Sequence, residues 1–244
     1  MAPLSWKSNV PLAFNAWIPY SLESKITYFF TYFHQIVCIM MAACITASVE
    51  SLAMVIMLHI CAQLEIIVHR LKSLPRLQEK SNSQSIIYEL ESKLIKDCVN
   101  HHIHTYTLGE NLNETFGPVI FVQFFVSVIA LGAVIYPMSK LSTSLYDLNT
   151  WRLIFTFAST ISQIFLYCFY GDKMMEKSMA IAEEVYQIDW IETTIKTKKN
   201  LTSIMMRAEK PIKLTGLSII IMTIETFFKI IKSAYSAYNV LKKT

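Results

Sequence analysis

The feature that most constrains this chain is a stretch without a single charged residue, residues 116–138. About 20 mostly apolar residues suffice for a helix to cross a bilayer, where the backbone can hydrogen-bond only to itself. Residues 153–170 are likewise uncharged, residues 36–60 are apolar with one acid, Glu50, and residues 214–241 are apolar but include three charged residues. The predicted fold class is all-α, a polytopic membrane protein with four transmembrane helices and long cytoplasmic helical extensions.

Composition agrees with this class and excludes several others. Hydrophobic residues make up 53% of the 244 residues and charged residues 16%, against about a quarter in soluble proteins. The five cysteines form no CxxC pair, so neither a disulfide framework nor a zinc ribbon is indicated. The sequence shows no Gly-rich phosphate loop, nucleophile elbow or pair of catalytic carboxylates. We predict no catalytic residues, no cofactor and, because the basic loops lack interleaved aromatics, no nucleic-acid partner.

Lysine and arginine are concentrated in the segments between the first and second apolar stretches and between the third and fourth. Cytoplasmic loops carry the excess of these residues, so both ends of the chain are predicted to lie outside the cytoplasm in a multi-pass membrane protein. The N-terminal residues lack the basic start, apolar run and cleavage site of a signal peptide. We therefore expect the chain to be part of a longer protein, with an odd number of membrane helices ahead of it.

The predicted organisation has four parts. Residues 1–26 form an extracellular segment, and residues 27–138 form the first two spans, joined by a helical cytoplasmic loop. Residues 139–152 form an extracellular loop, and residues 153–244 form the last two spans, joined by a cytoplasmic anchor region. Apolar residues at helical spacing indicate that the cytoplasmic parts pack as helices. These residues are Ile87, Leu90, Leu94, Cys98, Met175, Met179, Ala182 and Val185.

Three histidines in the sequence HHIH, namely His101, His102 and His104, resemble part of a metal site. Membrane desaturases and hydroxylases surround two irons with several histidine boxes, since each metal needs several imidazole ligands. The other three histidines of this chain form no second box. A membrane-bound metal-dependent oxidoreductase is one alternative function, and a small four-span transporter is another. The simpler interpretation is that the histidines are solvated on a cytoplasmic helix.

Two N-x-T sequons begin at Asn113 and Asn200. Glycosylation requires an acceptor on the external side of the membrane. Both sequons fall in segments predicted to be cytoplasmic, so we expect neither to be glycosylated.

Polar residues recur along the last apolar stretch at spacings of three and four, which keeps them near one face of a helix. This polar stripe consists of Glu225, Lys229, Lys232, Ser236, Asn239 and Lys243. A polar stripe is unfavourable against lipid but favourable against water, so it predicts a pore-lining helix. The alternative is an interfacial helix that lies flat while its lysines snorkel. Val240 is predicted to form the apolar ring that closes the pore.

Several ordered motifs resemble one known family over nearly the whole chain. They are PLAFNAWIPY (11–20), LHICAQLEIIVHRLK (58–72), HHIHTYTLGENLNETFGPVIFVQF (101–124), YCFYGDKMMEKSMAIAEEVY (167–186), and MMRAEKPIKLTG followed by IETFFKIIKSAYSAYNVL (205–241). Together they resemble the C-terminal part of insect odorant receptors, from the fourth to the seventh of seven membrane helices. The segment LSIIIM (217–222) departs from the family, in which aromatics and a proline are frequent at that place.

The resemblance implies an odorant-gated cation channel, a heterotetramer formed with a shared co-receptor. In such receptors the last helix lines the pore, and the cytoplasmic helices anchor the subunits to one another. Seven spans with a cytoplasmic N-terminus leave three helices ahead of this chain, which agrees with the odd number expected from the charges. Lys243 fits less well, because a ring of lysines repels cations; a co-receptor that supplies most of the tetramer would dilute that charge.

The resemblance also implies a pocket for a small volatile odorant, formed in part by the first and third spans of this chain. The candidate residues lie at helical spacing on the outer halves of these spans. Methionine adapts to irregular ligands, and aromatic residues supply rigid apolar walls. The predicted ligand-binding residues are Phe33, Val37, Met40, Cys44, Phe157, Thr160 and Ile161. The alternative for each of them is ordinary packing between helices.

Overall fold

Long uninterrupted helices dominate the structure, as expected for apolar stretches in a chain with five glycines and seven prolines. The computed structural model describes residues 19, 24–75, 84–139, 148–188, 193–217 and 219–243. Its helices are α1 (Lys25–Leu71), α2 (Gln84–Ser139), α3 (Leu148–Tyr186), α4 (Ile195–Ala208) and α5 (Ile224–Lys243). Two short strands, β1 (Thr215–Gly216) and β2 (Ile220–Ile221), lie between α4 and α5.

Three of the described helices, α1, α2 and α3, are long and apolar enough to cross a membrane. They contain the first three predicted spans, and with 47, 56 and 39 residues they are far longer than the bilayer requires. Helix α1 continues to Leu71, so the predicted helical extension of the first span is confirmed. Which ends face the cytoplasm stays a prediction, and residues 140–147 and most of 1–26 lie outside the described part of the chain.

The fourth predicted span begins later than expected. Residues 214–241 were predicted as one apolar span, but the structure places a hairpin first, with Thr215 paired to Ile221 and Gly216 to Ile220. Leu217, in the turn, has a φ of 50°, which a helix cannot contain. Helix α5 starts only after Thr223, whose hydroxyl accepts a hydrogen bond from the backbone N–H of Thr226 (3.3 Å).

The chain divides into two compact units, Met1–Leu52 and Ala53–Thr244. In the first unit, α1 is apolar around most of its circumference, with Phe29, Phe30 and Phe33 all more than half exposed. Such a helix suits a lipid environment or further helices rather than water.

The core of the second unit joins the end of α1 to the polar ends of α2 and α3 and to α4. Met57, Ile60, Leu64, Ile67 and Leu71 recur at spacings of three and four, and all are fully buried. They pack with buried residues of the other helices, which include Ile95, Cys98, Met174, Ile181, Val185, Leu201 and Ile204. Apolar burial therefore holds these helices together, as the spacing predicted, although Leu90 and Met179 are exposed.

Ion pairs at the edge of this core help to orient α1 and α3 relative to each other and add little stability. Lys177 of α3 lies 2.8 Å from Glu65 of α1, and Lys72 pairs with Glu184. The side chains of Lys177 and Glu65 are 37% and 59% exposed, and such pairs contribute about 0–1 kcal/mol. The pair still lowers the pKa of Glu65 and raises that of Lys177, through their mutual hydrogen bond and charge.

Candidate functional site: an apolar cavity beside the polar stripe

Helix α5 packs against α2 and α3 through one face. Phe227 and Ile230 are half-buried against the core of the second unit. The ring of Phe227 meets that of Phe165 in α3 edge to face, with centroids 5.4 Å apart. This contact positions the rest of α5 beside the two long helices.

Further along, the three helices enclose an apolar cavity of about 300 Å³. Its lining comes from α2, α3 and α5. The residues are Leu131, Ile135, Phe157, Ile161, Ile231, Ala234, Tyr235 and Tyr238. Nearly all of the surface of this cavity is apolar, so it suits a small apolar molecule.

Two of the predicted ligand-binding residues, Phe157 and Ile161, line this cavity. Thr160 is 9% exposed, and its hydroxyl donates to the carbonyl oxygen of Thr156 in the preceding turn (2.8 Å). The side chain of Thr160 is therefore engaged with its own helix. Ligand binding by all three residues stays a prediction.

The other predicted ligand-binding residues belong to the first compact unit. Phe33, Val37 and Met40 are 67%, 42% and 61% exposed, and Cys44 is exposed as well. Their spacing along α1 keeps them near one face of that helix. Their role in ligand binding also stays a prediction.

Most of the polar stripe lies on the exposed side of α5. Glu225, Lys229, Lys232 and Ser236 are exposed, and Asn239 is half-buried. Val240 is 64% exposed, and the side chain of Lys243 lies outside the described part of the chain. Glu225 and Lys229 form an i,i+4 ion pair of 2.7 Å, which partly neutralises this end of the stripe.

Lys229 does not fit a simple division of α5 into an exposed face and a face that packs against other helices. It lies at the edge of a second, more open cavity of about 490 Å³ between α2 and α5, together with Thr226 and Ser233. Ala234 and Leu131 separate this cavity from the first, since they line both. The small side chain of Ala234 leaves room on either side.

Sequence reasoning missed the α5 side of the apolar cavity. Ile231, Ala234, Tyr235 and Tyr238 follow one another at helical spacing, beside the polar stripe. This pattern is visible in the sequence, but it says only that the residues share a face. That the face meets α2 and α3 around an open volume depends on the tertiary structure.

The HHIH histidines are spread over different environments. His101 Nε2 lies 2.7 Å from Gln63 Oε1 of α1, in a hydrogen bond, whereas His104 is exposed. His102 is 2% exposed, with its ring 4.6 Å from that of Tyr106. Among the described residues, no three His, Cys, Asp or Glu side chains are placed to hold a metal ion.

The environment of His102 explains its charge state and corrects its interpretation as a solvated residue. Burial lowers the pKa of His102 to about 4, and the charges of Arg207 and His101 act in the same direction. Its ring is therefore neutral near pH 7. The pKa of His101 is lowered as well, chiefly by burial.

Comparison with known proteins gives a consistent result. A family model described as "7tm Odorant receptor" matches residues 2–235. Odorant receptor 9a of Drosophila melanogaster is 24% identical over 96% of this chain and 56% of that protein. The odorant receptor coreceptor of Anopheles gambiae is 22% identical over 60% of this chain and 30% of that protein.

The fold also matches a solved structure, that of the insect olfactory receptor OR5 from Machilis hrabei in complex with eugenol. The TM-score is 0.74 at 15% identity, and the match covers 93% of this chain and 56% of the other. The chain thus spans about half the length of relatives that it matches nearly end to end.

Proposed function

Because this chain belongs to the insect odorant receptor family, we propose that it is part of an odorant receptor subunit that acts with a shared co-receptor as an odorant-gated cation channel. The observation that carries the proposal is the apolar cavity between α2, α3 and α5. This cavity suits a small apolar ligand, and one of its walls belongs to α5, the helix that bears the polar stripe. The subunit would reside in the plasma membrane and serve sensory transduction.

The chemistry of the cavity supports an odorant as the ligand. A volume of about 300 Å³ lined by Leu, Ile, Phe, Ala and Tyr side chains accommodates a small volatile molecule, which gains free energy mainly by leaving water. The solved receptor of similar fold holds eugenol, an observation on that protein which is compatible with a small ligand here. In this proposal Phe33, Val37, Met40 and Cys44 contribute a further part of the odorant site.

Gating would follow from the cavity wall that α5 provides. A ligand shifts the equilibrium between closed and open states only as far as it binds one of them better. Since Ile231, Ala234 and Tyr238 form one wall of the cavity, a displacement of α5 changes the shape of the site. An odorant that fits the cavity of the open state better would therefore open the channel.

The polar stripe supports α5 as the pore-lining helix. At 20 residues, α5 is about 30 Å long, enough to cross the hydrocarbon region as the fourth span. Lys232 and Ser236 are exposed, so water or neighbouring subunits would meet them. In this arrangement Val240 narrows the pore, and Asn239 and Lys243 lie towards its extracellular mouth.

Similarity to co-receptors supports the proposed partner. The matches to coreceptors of Anopheles gambiae and Aedes aegypti each cover 60% of this chain and 30% of those proteins. Shared structure in this part would let the two kinds of subunit assemble around one axis. We propose a heterotetramer, held together by the cytoplasmic helices.

A matched pair of phenylalanines in α3 tests the proposed function. Phe157 lines the cavity, whereas Phe155 is 66% exposed. In cells that express the receptor with its co-receptor, we expect Phe157→Ala to shift the half-maximal odorant concentration about tenfold, the effect of about 1.4 kcal/mol. Phe155→Ala should leave it within about twofold. Equal effects of the two substitutions on a panel of odorants would remove this cavity from the ligand site.

A further inference from the structure

The segment between α4 and α5, described for residues 211–217 and 219–223, contacts both α2 and α3, and we call it the strap. Asn113 of α2 binds the strap through both ends of its side-chain amide. Its Nδ2 donates to the carbonyl oxygen of Lys213 (2.6 Å), and its Oδ1 accepts from the backbone N–H of Thr215 (2.9 Å). One side chain thus satisfies two backbone groups that flank Leu214.

Asn113 is the middle member of a row on α2 that faces the strap. Gly109 and Gly117 lie one turn to either side, and both are close to the strap backbone or its side chains. A Cβ at Gly109 would lie 2.5 Å from Cγ2 of Ile212, and one at Gly117 would lie 3.1 Å from the carbonyl oxygen of Thr215. The spacing of four places all three residues on one face, which lets the strap approach closely enough for the Asn113 bonds.

Helix α3 holds the strap from the other side. The hydroxyl oxygen of Ser178 accepts a buried hydrogen bond from the backbone N–H of Ile212 (2.9 Å). Near the other end of the strap, the carbonyl oxygen of Met222 lies against Gly171, and Thr223 follows as the cap of α5. The strap is therefore attached to both long helices immediately before α5 begins.

These contacts give Asn113 a role that its sequon does not suggest. We infer that Asn113 is a positioning residue that couples α2 to the start of α5, so that movement around the apolar cavity reaches the proposed pore helix through the strap. Helix α2 carries both the Asn113 row and the cavity residues Leu131 and Ile135. The inference rests on the proposed channel function and adds a second connection between α2 and α5, besides the cavity wall that α5 itself provides.

The two bonds also explain why asparagine is required at this position. An amide offers a donor and an acceptor on one short side chain. Aspartate keeps the acceptor for Thr215 but turns a second carboxylate oxygen towards the carbonyl of Lys213. Leucine has a similar size and offers neither group, so the backbone groups of Lys213 and Thr215 would lose their partner.

The two hydrogen bonds of Asn113 to the strap form what we call the clasp. Hydrogen exchange measures the clasp without reference to channel activity. In the purified receptor complex, the amide of Thr215 should exchange about tenfold faster in Asn113→Leu than in the natural protein, because its acceptor is gone. Glu114→Gln is the matched control, since Glu114 is the exposed neighbour on the same helix, and it should leave the exchange unchanged. Unchanged exchange in Asn113→Leu would overturn the inference at its first step.

Odorant-evoked current measures the coupling between α2 and the start of α5. We expect Asn113→Leu and Asn113→Asp each to lower the maximal current per receptor at the cell surface about tenfold, while Glu114→Gln stays within about twofold of the natural protein. Asn113→Asp has the size of the natural residue, so it tests the inference even if the leucine variant does not reach the surface. Faster exchange at Thr215 with unchanged current would show a purely structural clasp and overturn the inference.

Thr215→Pro removes one of the two Asn113 bonds from the other side, because proline has no N–H to donate to Asn113 Oδ1, and the threonine hydroxyl that lies 3.4 Å from the same oxygen is lost as well. Asn113→Leu already removes these contacts, so the double variant should lose no more current than Asn113→Leu alone. Losses that multiply would overturn the assignment to this contact. If the natural receptor gives no odorant current at all, the proposed function fails and this inference with it, and the exchange of Thr215 still reports whether the clasp forms.

Discussion

A Cβ atom at Gly171 would lie 2.6 Å from the carbonyl oxygen of Met222, a backbone atom at the end of the strap. At this position a side chain has no space unless the strap moves. Gly132 of α2 presents the opposite case, because a Cβ there meets nothing within 4 Å. The two glycines, both within apolar helices, therefore have different roles.

Gly171→Ala is expected to destabilise the protein by about 1–3 kcal/mol, the usual cost of overpacking. Gly132→Ala should be neutral or stabilising by about 0.5–1 kcal/mol, since alanine favours the helix. Thermal unfolding of the two variants in detergent measures the difference. Equal melting temperatures would show that the strap does not lie against Gly171 as described.

His102 makes stability depend on pH in a defined range. Its pKa is about 4 in the folded protein, mainly because of burial, against about 6.5 for an ordinary histidine. Between these values the unfolded chain binds a proton that the folded chain does not, so the free energy of unfolding falls as pH falls. The loss amounts to about 3 kcal/mol by pH 4 and is absent above pH 7.

His102→Phe keeps an aromatic ring beside Tyr106 and removes the titrating group. We expect its melting temperature to decline less than that of the natural protein between pH 6.5 and 4. His104→Leu, at an exposed position two residues away, serves as the control and should follow the natural protein. Parallel curves for the natural protein and His102→Phe would contradict the buried, neutral state of His102.

At the scale of elements, α5 presents two different surfaces, one exposed and one that faces α2 and α3. Ala234 lies against α2, whereas Ser236 lies two residues later on the exposed side. If the exposed side lines the pore, thiol reagents should block Ser236→Cys and Asn239→Cys channels. Ala234→Cys should react less, because Ala234 is half-buried where α5 faces α2. Block at Ala234→Cys without block at Ser236→Cys would reverse the orientation of the helix.

The sequence at the end of the strap shows why the hairpin was not predicted. Residues 217–222 read LSIIIM and are as apolar as a membrane span, so hydropathy alone extends the last helix through them. The backbone turns at Leu217 instead, and the hydrogen bond from Met222 N–H to the carbonyl oxygen of Leu214 closes the hairpin (2.9 Å). Contacts with α2 and α3 stabilise that turn. The bond between Asn113 and Lys213 joins residues 100 positions apart, and the bond between Ser178 and Ile212 joins residues 34 positions apart.

At the scale of the whole molecule, orientation in the membrane follows from charge. The lysine-rich and arginine-rich connecting segments predict that residues 76–83 face the cytoplasm and that the C-terminus faces outward. An epitope tag after Thr244 should therefore be labelled on intact cells, whereas a tag inserted within residues 76–83 should be labelled only after permeabilisation. The reverse pattern would contradict the predicted topology and place Asn239 and Val240 at the cytoplasmic end of α5.

The sequence by itself determined the membrane class, three of the long helices and the family, because apolar length, charge placement and ordered motifs are local properties of the chain. It also placed the polar stripe on one side of α5, since helical spacing alone decides which residues share a face. Only the tertiary structure showed that Phe157 and Ile161 share a cavity with Ala234 and Tyr238. It alone showed that Asn113 binds the strap. Cavities and clasps depend on backbone positions that distant segments set together, and no local pattern encodes those distances.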